Sequence, residues 1–283
     1  MKIGIFMILW TAHVTEEHEP ILEKLAETGY DGVEIPLFEG DVDEYEKLGK
    51  LLKKHGLGST GVAVMPDEAH SPVSPDANNR GGAVEHLTRS LECAAALGAD
   101  AVAGPLQQPL GAFTGEGPTE DEKKRAAEVH REAAEVAAKH NVMMCVEPIN
   151  RFENYMITTM AQAAEAVQRV NHPNFTSMYD SFHANIEEQQ PAESVRKHGN
   201  IIGHVHISEN DRGIPGRGHI DFPELFRALH EINYDGWLTI EAFGRVNKEI
   251  LAATRIWRDL YESPEALYTE GYQLIRDLWN KTG

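Results

Sequence analysis

Four apolar stretches, in order along the chain, each end on a residue able to bind a metal or move a proton: Val146-Glu147-Pro148, Tyr179-Asp180-Ser181, His204-Val205-His206 and Ile240-Glu241-Ala242. One such ending is ordinary, and taken singly each is a polar residue at a strand end. Four in succession become a site when the stretches are neighbouring parallel strands whose C-terminal ends open on one mouth. Glu147, Asp180, His206 and Glu241 supply three carboxylates and one imidazole. Three carboxylates within a few ångströms cannot all stay ionised without a cation. Oxygen ligands with one nitrogen suit a divalent ion of intermediate hardness, Mn²⁺ first, with Mg²⁺ or Co²⁺ as alternatives. Zinc tolerates the set, but neither sulfur nor a third histidine is present to favour it.

A second layer lies just downstream. Asn150-Arg151-Phe152-Glu153 follows Glu147, Ser181-Phe182-His183 follows Asp180, and Ser208-Glu209-Asn210-Asp211-Arg212 follows His206. Glu153, His183 and Arg212 can reach the mouth as hydrogen-bond donors and acceptors for a polyol, although each alone also reads as a surface charge. The strand period of two puts His204 one layer below His206, as a packing and hydrogen-bonding residue, and Cys145 below Glu147. With no paired base in view, Cys145 reads as an inert core thiol. Glu34 either lines the mouth or serves structure. The segment Gly213-Ile214-Pro215-Gly216-Arg217-Gly218 is Gly-rich and basic, which raises the idea of a phosphate cradle. It lacks P-loop order and is surrounded by Glu187, Glu188, Glu209 and Asp211, so it reads as a structured active-site loop, with a phosphorylated substrate as the secondary reading.

Positioning these residues requires a repeating scaffold. Eight β-type stretches, 3–7, 32–36, 61–65, 100–105, 142–148, 175–180, 201–208 and 236–242, alternate with amphipathic helical patterns at 16–27, 45–55, 83–97, 121–140, 160–170, 191–197 and 223–232. Several helices stop at Gly or Asn, as in Thr28-Gly29, His55-Gly56, Leu97-Gly98 and His140-Asn141. A doubly wound sheet shares the alternation, but eight units without a Pro/Ser-rich linker favour an α/β (β/α)8 TIM barrel. The expectation is a single domain over 1–283 with an extra C-terminal helix at 264–280. Leu267, Tyr268, Tyr272, Ile275 and Trp279 offer that helix one face, which either caps the barrel or covers a subunit contact. The irregular stretches 65–79 and 106–118 are long loops after strands, where barrels build their sites.

Composition narrows the class. The chain has 283 residues, 41% hydrophobic and 25% charged, with a net charge of −19. That balance disfavours nucleic-acid binding, which needs a basic face, and a polybasic membrane anchor is absent. The longest apolar run, Ile3 to Trp10 broken at Gly4, is far short of the roughly 20 residues of a spanning helix and reads as the first strand. Cys93 and Cys145 make no disulfide framework, which fits a reducing cytoplasm and a cytosolic enzyme.

The strings EPINRFE (147–153), YDSFHANIEE (179–188), HVHISENDRGIPGRGHIDF (204–222) and IEAF (240–243) closely resemble the D-tagatose/D-psicose (allulose) 3-epimerases, ketose epimerases of the sugar isomerase/epimerase barrel superfamily. The resemblance spans at least residues 142–243. It implies that Glu147, Asp180, His206 and Glu241 bind a Mn²⁺-type ion and that Glu147 and Glu241 double as the acid/base pair. It further implies that Glu153, His183 and Arg212 hold the O1–O3 end of a ketose, with Phe243 in the apolar wall. The implied reaction inverts C3 of a free ketohexose or ketopentose, of the D-psicose/D-fructose, D-tagatose/D-sorbose or L-ribulose/L-xylulose type. A proton leaves the carbon α to the carbonyl and returns from the opposite face, through an enediolate. A small-molecule ketose is then the partner, and a homodimer or homotetramer is expected. An aldose–ketose or hydroxypyruvate isomerase, or an inosose dehydratase, shares the same metal-and-carboxylate logic. A metal-dependent nuclease would need more strand-end histidines and a basic groove, and a non-catalytic sugar binder would have no use for paired carboxylates. The loop 104–109 carries Gln107 and Gln108 where the family leads one to expect an aromatic, so Phe6 and Trp10 become candidates for the wall.

Overall fold

Short apolar stretches become strands here because both of their faces are covered, which is the setting of parallel sheets. The computed structural model describes residues 1–245 and 248–283. Among the described residues eight strands run parallel: β1 (Lys2–Phe6), β2 (Gly32–Pro36), β3 (Gly58–Val62), β4 (Ala101–Gly104), β5 (Met143–Val146), β6 (Phe175–Asp180), β7 (Ile202–Ile207) and β8 (Trp237–Ile240). They hydrogen-bond in sequence order and β1 closes on β8, with Gly4 opposite Thr239, so the sheet is a closed barrel and the doubly wound alternative falls away.

Around it stand α1 (Glu19–Thr28), α2 (Val42–Lys54), α3 (Ala77–Leu97), α4 (Glu120–His140), α5 (Met160–Val170), α6 (Ser181–Glu187), α7 (Pro191–His198), α8 (Phe222–Glu231), α9 (Lys248–Thr254) and α10 (Pro264–Thr282). Caps mark their ends in the places the sequence suggests. Asp41, Thr119 and Thr159 each close a capping box with the residue three positions on, and Gly29, Gly98 and Asn141 adopt the left-handed conformation that stops α1, α3 and α4. The principal core lies between strands and helices, where Ile5, Val33, Ile35, Val102, Val205, Leu238 and Ile240 meet Leu22, Leu25, Leu87 and Leu229. Inside the barrel a small cluster of Ala101, Ala103, Cys145 and Met178 fills the lower layers. Cys93 and Cys145 are both free and buried, and burial pushes both thiols up in pKa.

Four elements depart from the expectation. The third strand pairs at 58–62, three residues earlier than hydrophobicity suggests. Thr60 points inward to a charged partner, while Ala63–Met65 leave the sheet after a last bond from Ala63 N–H to Ala103 O. Helix α3 begins six residues early, capped by Asp76, and runs straight through Gly81-Gly82. Gly82 is needed there because a Cβ would sit 2.4 Å from Ala69 O, so the preceding loop could not lie against the helix. Helices α6 and α9 are additional short insertions after β6 and β8. The C-terminal helix starts at Pro264 as expected and packs between α8 and α1, with Tyr30 Oη donating to Tyr268 O at 2.6 Å. Among the described residues no helix is long and apolar enough to cross a membrane.

Candidate active site

The last residue of β6 sets the geometry. Asp180 Oδ1 accepts the backbone N–H groups of Phe182 (2.6 Å) and His183 (3.2 Å), capping α6 and leaving Oδ2 free to face the barrel axis. Glu147 leaves β5 in an extended turn, its N–H bonded to Gly104 O and its carbonyl accepting Gln107 Nε2 at 2.9 Å. Glu241 follows β8, with its N–H on Ile207 O and its carbonyl accepting the Ser208 hydroxyl at 2.8 Å. His206 on β7 completes the set. One ligand atom from each of Glu147, Asp180, His206 and Glu241 lies within 4.8 Å of the others, and all four residues are buried.

His206 carries the strongest indication of what this cluster is for. Its Nε2 is 2.7 Å from Glu34 Oε1, while its Nδ1 is buried without a hydrogen-bond partner, 3.4 Å from Asp180 Oδ2 and 3.5 Å from Glu241 Oε2. An orphaned buried nitrogen facing carboxylate oxygens at that distance fits a shared cation, and the donor set of three carboxylates and one imidazole suits a divalent one. Electrostatics agrees. Burial, then the charges of Glu241 and Asp180, push the Glu147 carboxyl well above its usual range. Burial also opposes a charge on Asp180, but the Arg212 guanidinium, aided by His206, outweighs it and holds that carboxyl well below its usual range. For His206 burial disfavours the charged ring, yet Glu34 and Glu241 prevail and raise its pKa well above the ordinary value. A cluster whose members pull one another this far is characteristic of functional sites.

Above it opens a cavity of about 430 Å³, and Glu147, Glu241, Glu153, His183, Arg212 and Phe243 all line it. Every residue expected to touch a substrate is therefore on its surface, while Asp180 and His206 lie beneath. Glu153 accepts Asn150 Nδ2 at 2.7 Å. His183 is held from behind by Asn150 N–H and Nδ2 on its Nδ1, and burial drives it down to about 3, so it is neutral. Its Nε2 is 3.0 Å from Arg212 Nη2 and 3.6 Å from Glu147 Oε1. Arg212 is sandwiched between the rings of Phe182 (3.8 Å) and Phe243 (4.9 Å). Its Nη1 donates to Asp180 Oδ2 (3.1 Å), Ser208 Oγ (2.7 Å) and Glu241 Oε2.

The opposite wall is apolar: Phe6, Ile8, Val62 and Val64, with Phe38, Pro105 and Leu110, and Ile250 of α9 adds apolar surface after β8. Phe6 supplies wall surface as expected. Trp10 does not; it packs against Tyr268 at a ring distance of 6.3 Å, away from the cavity. Gln107 and Gln108 are fully buried and brace the loop after β5 instead of lining the pocket, with Gln108 Oε1 accepting the Tyr155 and Met156 N–H groups. The Gly-rich loop is already filled: Glu209 is buried and its carboxylate accepts the backbone N–H groups of Asn210, Gly216 and Ile220. A Cβ at Gly218 would fall 2.4 Å from Glu209 Oε1, so glycine there admits the carboxylate and not a phosphate. Arg217 turns outward to Glu262 and Glu270.

The chain matches the xylose isomerase-like TIM barrel model over residues 22–278. It is 34% identical over 266 residues to a D-psicose 3-epimerase from Ruminiclostridium cellulolyticum, covering 92% of this chain and 90% of that one. It is 32% identical over 273 residues to an L-ribulose 3-epimerase from Mesorhizobium japonicum, covering 94% and 90%. The chain belongs to the ketose 3-epimerase family of xylose isomerase-like barrels. A solved D-allulose 3-epimerase from Methylomonas sp., in complex with D-allulose, superposes with a TM-score of 0.90 at 26% identity over 98% of this chain and 96% of that one.

Sequence reasoning undervalued the side chains that hold the site together, among them Glu34, Thr60, Asn150 and Ser208. Glu34 did carry a signal: a carboxylate in the middle of the apolar strand Gly32–Pro36 needs a buried partner.

Proposed function

We propose that this protein is a metal-dependent ketose 3-epimerase that inverts C3 of a free ketohexose or ketopentose. The observation that carries the proposal is the buried cluster beneath the cavity, in which His206 Nδ1 has no partner but three surrounding carboxylates. Glu147, Asp180, His206 and Glu241 are the residues that would hold a divalent ion, with Mn²⁺ preferred and Mg²⁺ or Co²⁺ as substitutes. Such an ion supplies Lewis-acid polarisation of the ketose carbonyl and neutralises the charge that develops on its oxygen.

Everything else falls to the chain itself. Glu147 and Glu241 reach the cavity from β5 and β8, on different sides of the barrel mouth, so one carboxylate can take the C3 proton and the other return one from the opposite face. Their roles exchange in the reverse direction. Arg212 is fixed in place by two aromatic faces and by Ser208, which suits it to hold the O1–O2 end of the sugar. Neutral His183 offers a hydrogen bond to the same end without repelling a cation, and Glu153 accepts from a hydroxyl. The apolar wall from β1 to β3, with Phe243, excludes water from the reacting carbon. The phosphate reading loses its support, since Glu209 occupies the loop that would have held one.

The chain works as one unit over 1–283, as a homodimer or homotetramer in the cytoplasm. Two free buried thiols suit a reducing compartment. The test is incubation of metal-stripped protein, with and without Mn²⁺, with free ketoses in D₂O. A C3 epimer carrying deuterium at C3 only when Mn²⁺ is present is the expected product. An aldose labelled at C2 would make the protein an isomerase.

A further inference from the structure

The carboxylate of Glu34 lies in the barrel interior, one layer below the mouth, and is fully buried. Its two oxygens do different things. Oε1 is 2.7 Å from His206 Nε2, and Oε2 accepts the Thr60 hydroxyl at 2.9 Å. His204 packs edge-on against the His206 ring, its Nε2 2.9 Å from Glu34 Oε2. On the far side Phe6 stacks against His206 with rings 6.2 Å apart and 29° from parallel. The imidazole therefore has a fixed plane and a single acceptor at one nitrogen, which leaves the other nitrogen turned to Asp180 and Glu241.

An imidazole has two tautomers, and only the one bearing its proton on Nε2 presents a lone pair at Nδ1. A carboxylate on Nε2 selects that tautomer, orients the ring and makes Nδ1 a better ligand. We propose that Glu34 is the positioning residue of the metal centre: through His206 Nε2 it fixes which nitrogen faces the ion, and Thr60 holds Glu34 in the rotamer that does so. The inference rests on the functional reading above, in that the four-residue cluster binds a divalent ion. Glu34 does not line the cavity and is not one of the four residues of that cluster. Its partner is 172 residues away in sequence and across the barrel, which is why the strand-end pattern alone does not reveal it.

The test uses the full-length protein and Mn²⁺ titrated by calorimetry, together with the proton spectrum of the Co²⁺-loaded form. In the wild type, one exchangeable ring N–H of His206 is expected to be strongly shifted by Co²⁺ and slow to exchange. Glu34→Gln keeps an acceptor but loses the charge, and is expected to weaken Mn²⁺ binding about 10- to 100-fold and to speed exchange of that proton. Thr60→Val, which leaves Glu34 in place, is expected to weaken binding several-fold and serves if Glu34→Gln does not fold. A Glu34 with only a packing role would lower the melting temperature of both variants and leave the Mn²⁺ dissociation constant and the shifted proton unchanged, which overturns the proposal. A wild-type protein that takes up neither ion would overturn the functional reading as well.

Discussion

The two halves of the barrel mouth are built from different chemistry. At or just past the ends of β5 to β8 stand Glu147, Asp180, His206 and Glu241, and the segments that follow bring Glu153, His183 and Arg212. Strands β1 to β3 and the loops after β1 to β4 bring Phe6, Ile8, Phe38, Val62, Val64, Pro105 and Leu110, with Glu39 at the rim. The division separates two tasks that compete for the same surface. Binding an ion and moving a proton require polar groups whose charges are poised against one another, whereas keeping water from the reacting carbon requires apolar surface. Placing each task on its own half lets both proceed within one cavity. Glu34 is the one carboxylate that the apolar half sends inward, and it serves the polar half from below.

The largest expected effect belongs to Glu147 and Glu241, the pair proposed to move the C3 proton. Glu147→Gln or Glu241→Gln should lower kcat by about 10²- to 10⁴-fold or more, measured by chromatography of the C3 epimer at saturating Mn²⁺. A loss of only a few-fold in either would break the assignment of acid and base. Next comes the ion itself. Dialysis against a chelator should abolish turnover and Mn²⁺ should restore it, and Asp180→Asn, whose side chain can still cap α6, should require at least tenfold more Mn²⁺ for half-maximal rate. On the apolar half, Ile8→Ala should raise KM about tenfold with kcat changed far less, since a shortened wall costs uniform binding. A fall in kcat without a change in KM would mean the wall takes part in the chemistry.

The smallest effect lies away from the site and tests whether the charge balance of the mouth is a local device. His130 on α4 is buried, its Nε2 donates to Leu106 O (2.8 Å), and burial pushes it down to about 4. Its folded-state pKa is below that of the unfolded chain, about 6.5, so the unfolded state binds the proton more readily as pH falls. The stability it contributes is complete above pH 6.5 and is lost progressively toward pH 4, about 3 kcal/mol at most. Chemical denaturation of wild type and His130→Gln at pH 7.5 and pH 4.5 should show a steeper acid loss in the wild type.

The polar half was legible in the sequence because each of its four clustered residues stands at or next to the end of an apolar run, and that position fixes both its depth and its direction. Glu147, Asp180, His206 and Glu241 could be placed at one mouth as soon as their strands were read as neighbours. The apolar half was not, since Phe6 at the cavity and Trp10 away from it look alike as aromatics near the end of the first strand. What separates them is the short turn 7–9 after β1, which rotates Trp10 toward Tyr268. Gln107 and Gln108 misled for a related reason: their position suggested the pocket, but their amides satisfy backbone groups in the loop after β5 and, at Ala112, in their own loop after β4. The start of α3 was hidden by Gly81-Gly82, of which Gly82 permits a close approach to the preceding loop.

The contact between Glu34 and His206 ties the second strand to the seventh. The groups that would hold an ion, with the one that orients them, are contributed by or follow directly on β2, β5, β6, β7 and β8, so no half-built barrel contains the site. An ion with affinity for the closed barrel and little for the open chain acts as a thermodynamic clasp. At a hundredfold excess over its dissociation constant it adds about 2.7 kcal/mol to the unfolding free energy by mass action. If the cluster holds an ion in this way, a chelator is expected to act as a mild denaturant, read as a lower melting temperature of the metal-stripped protein.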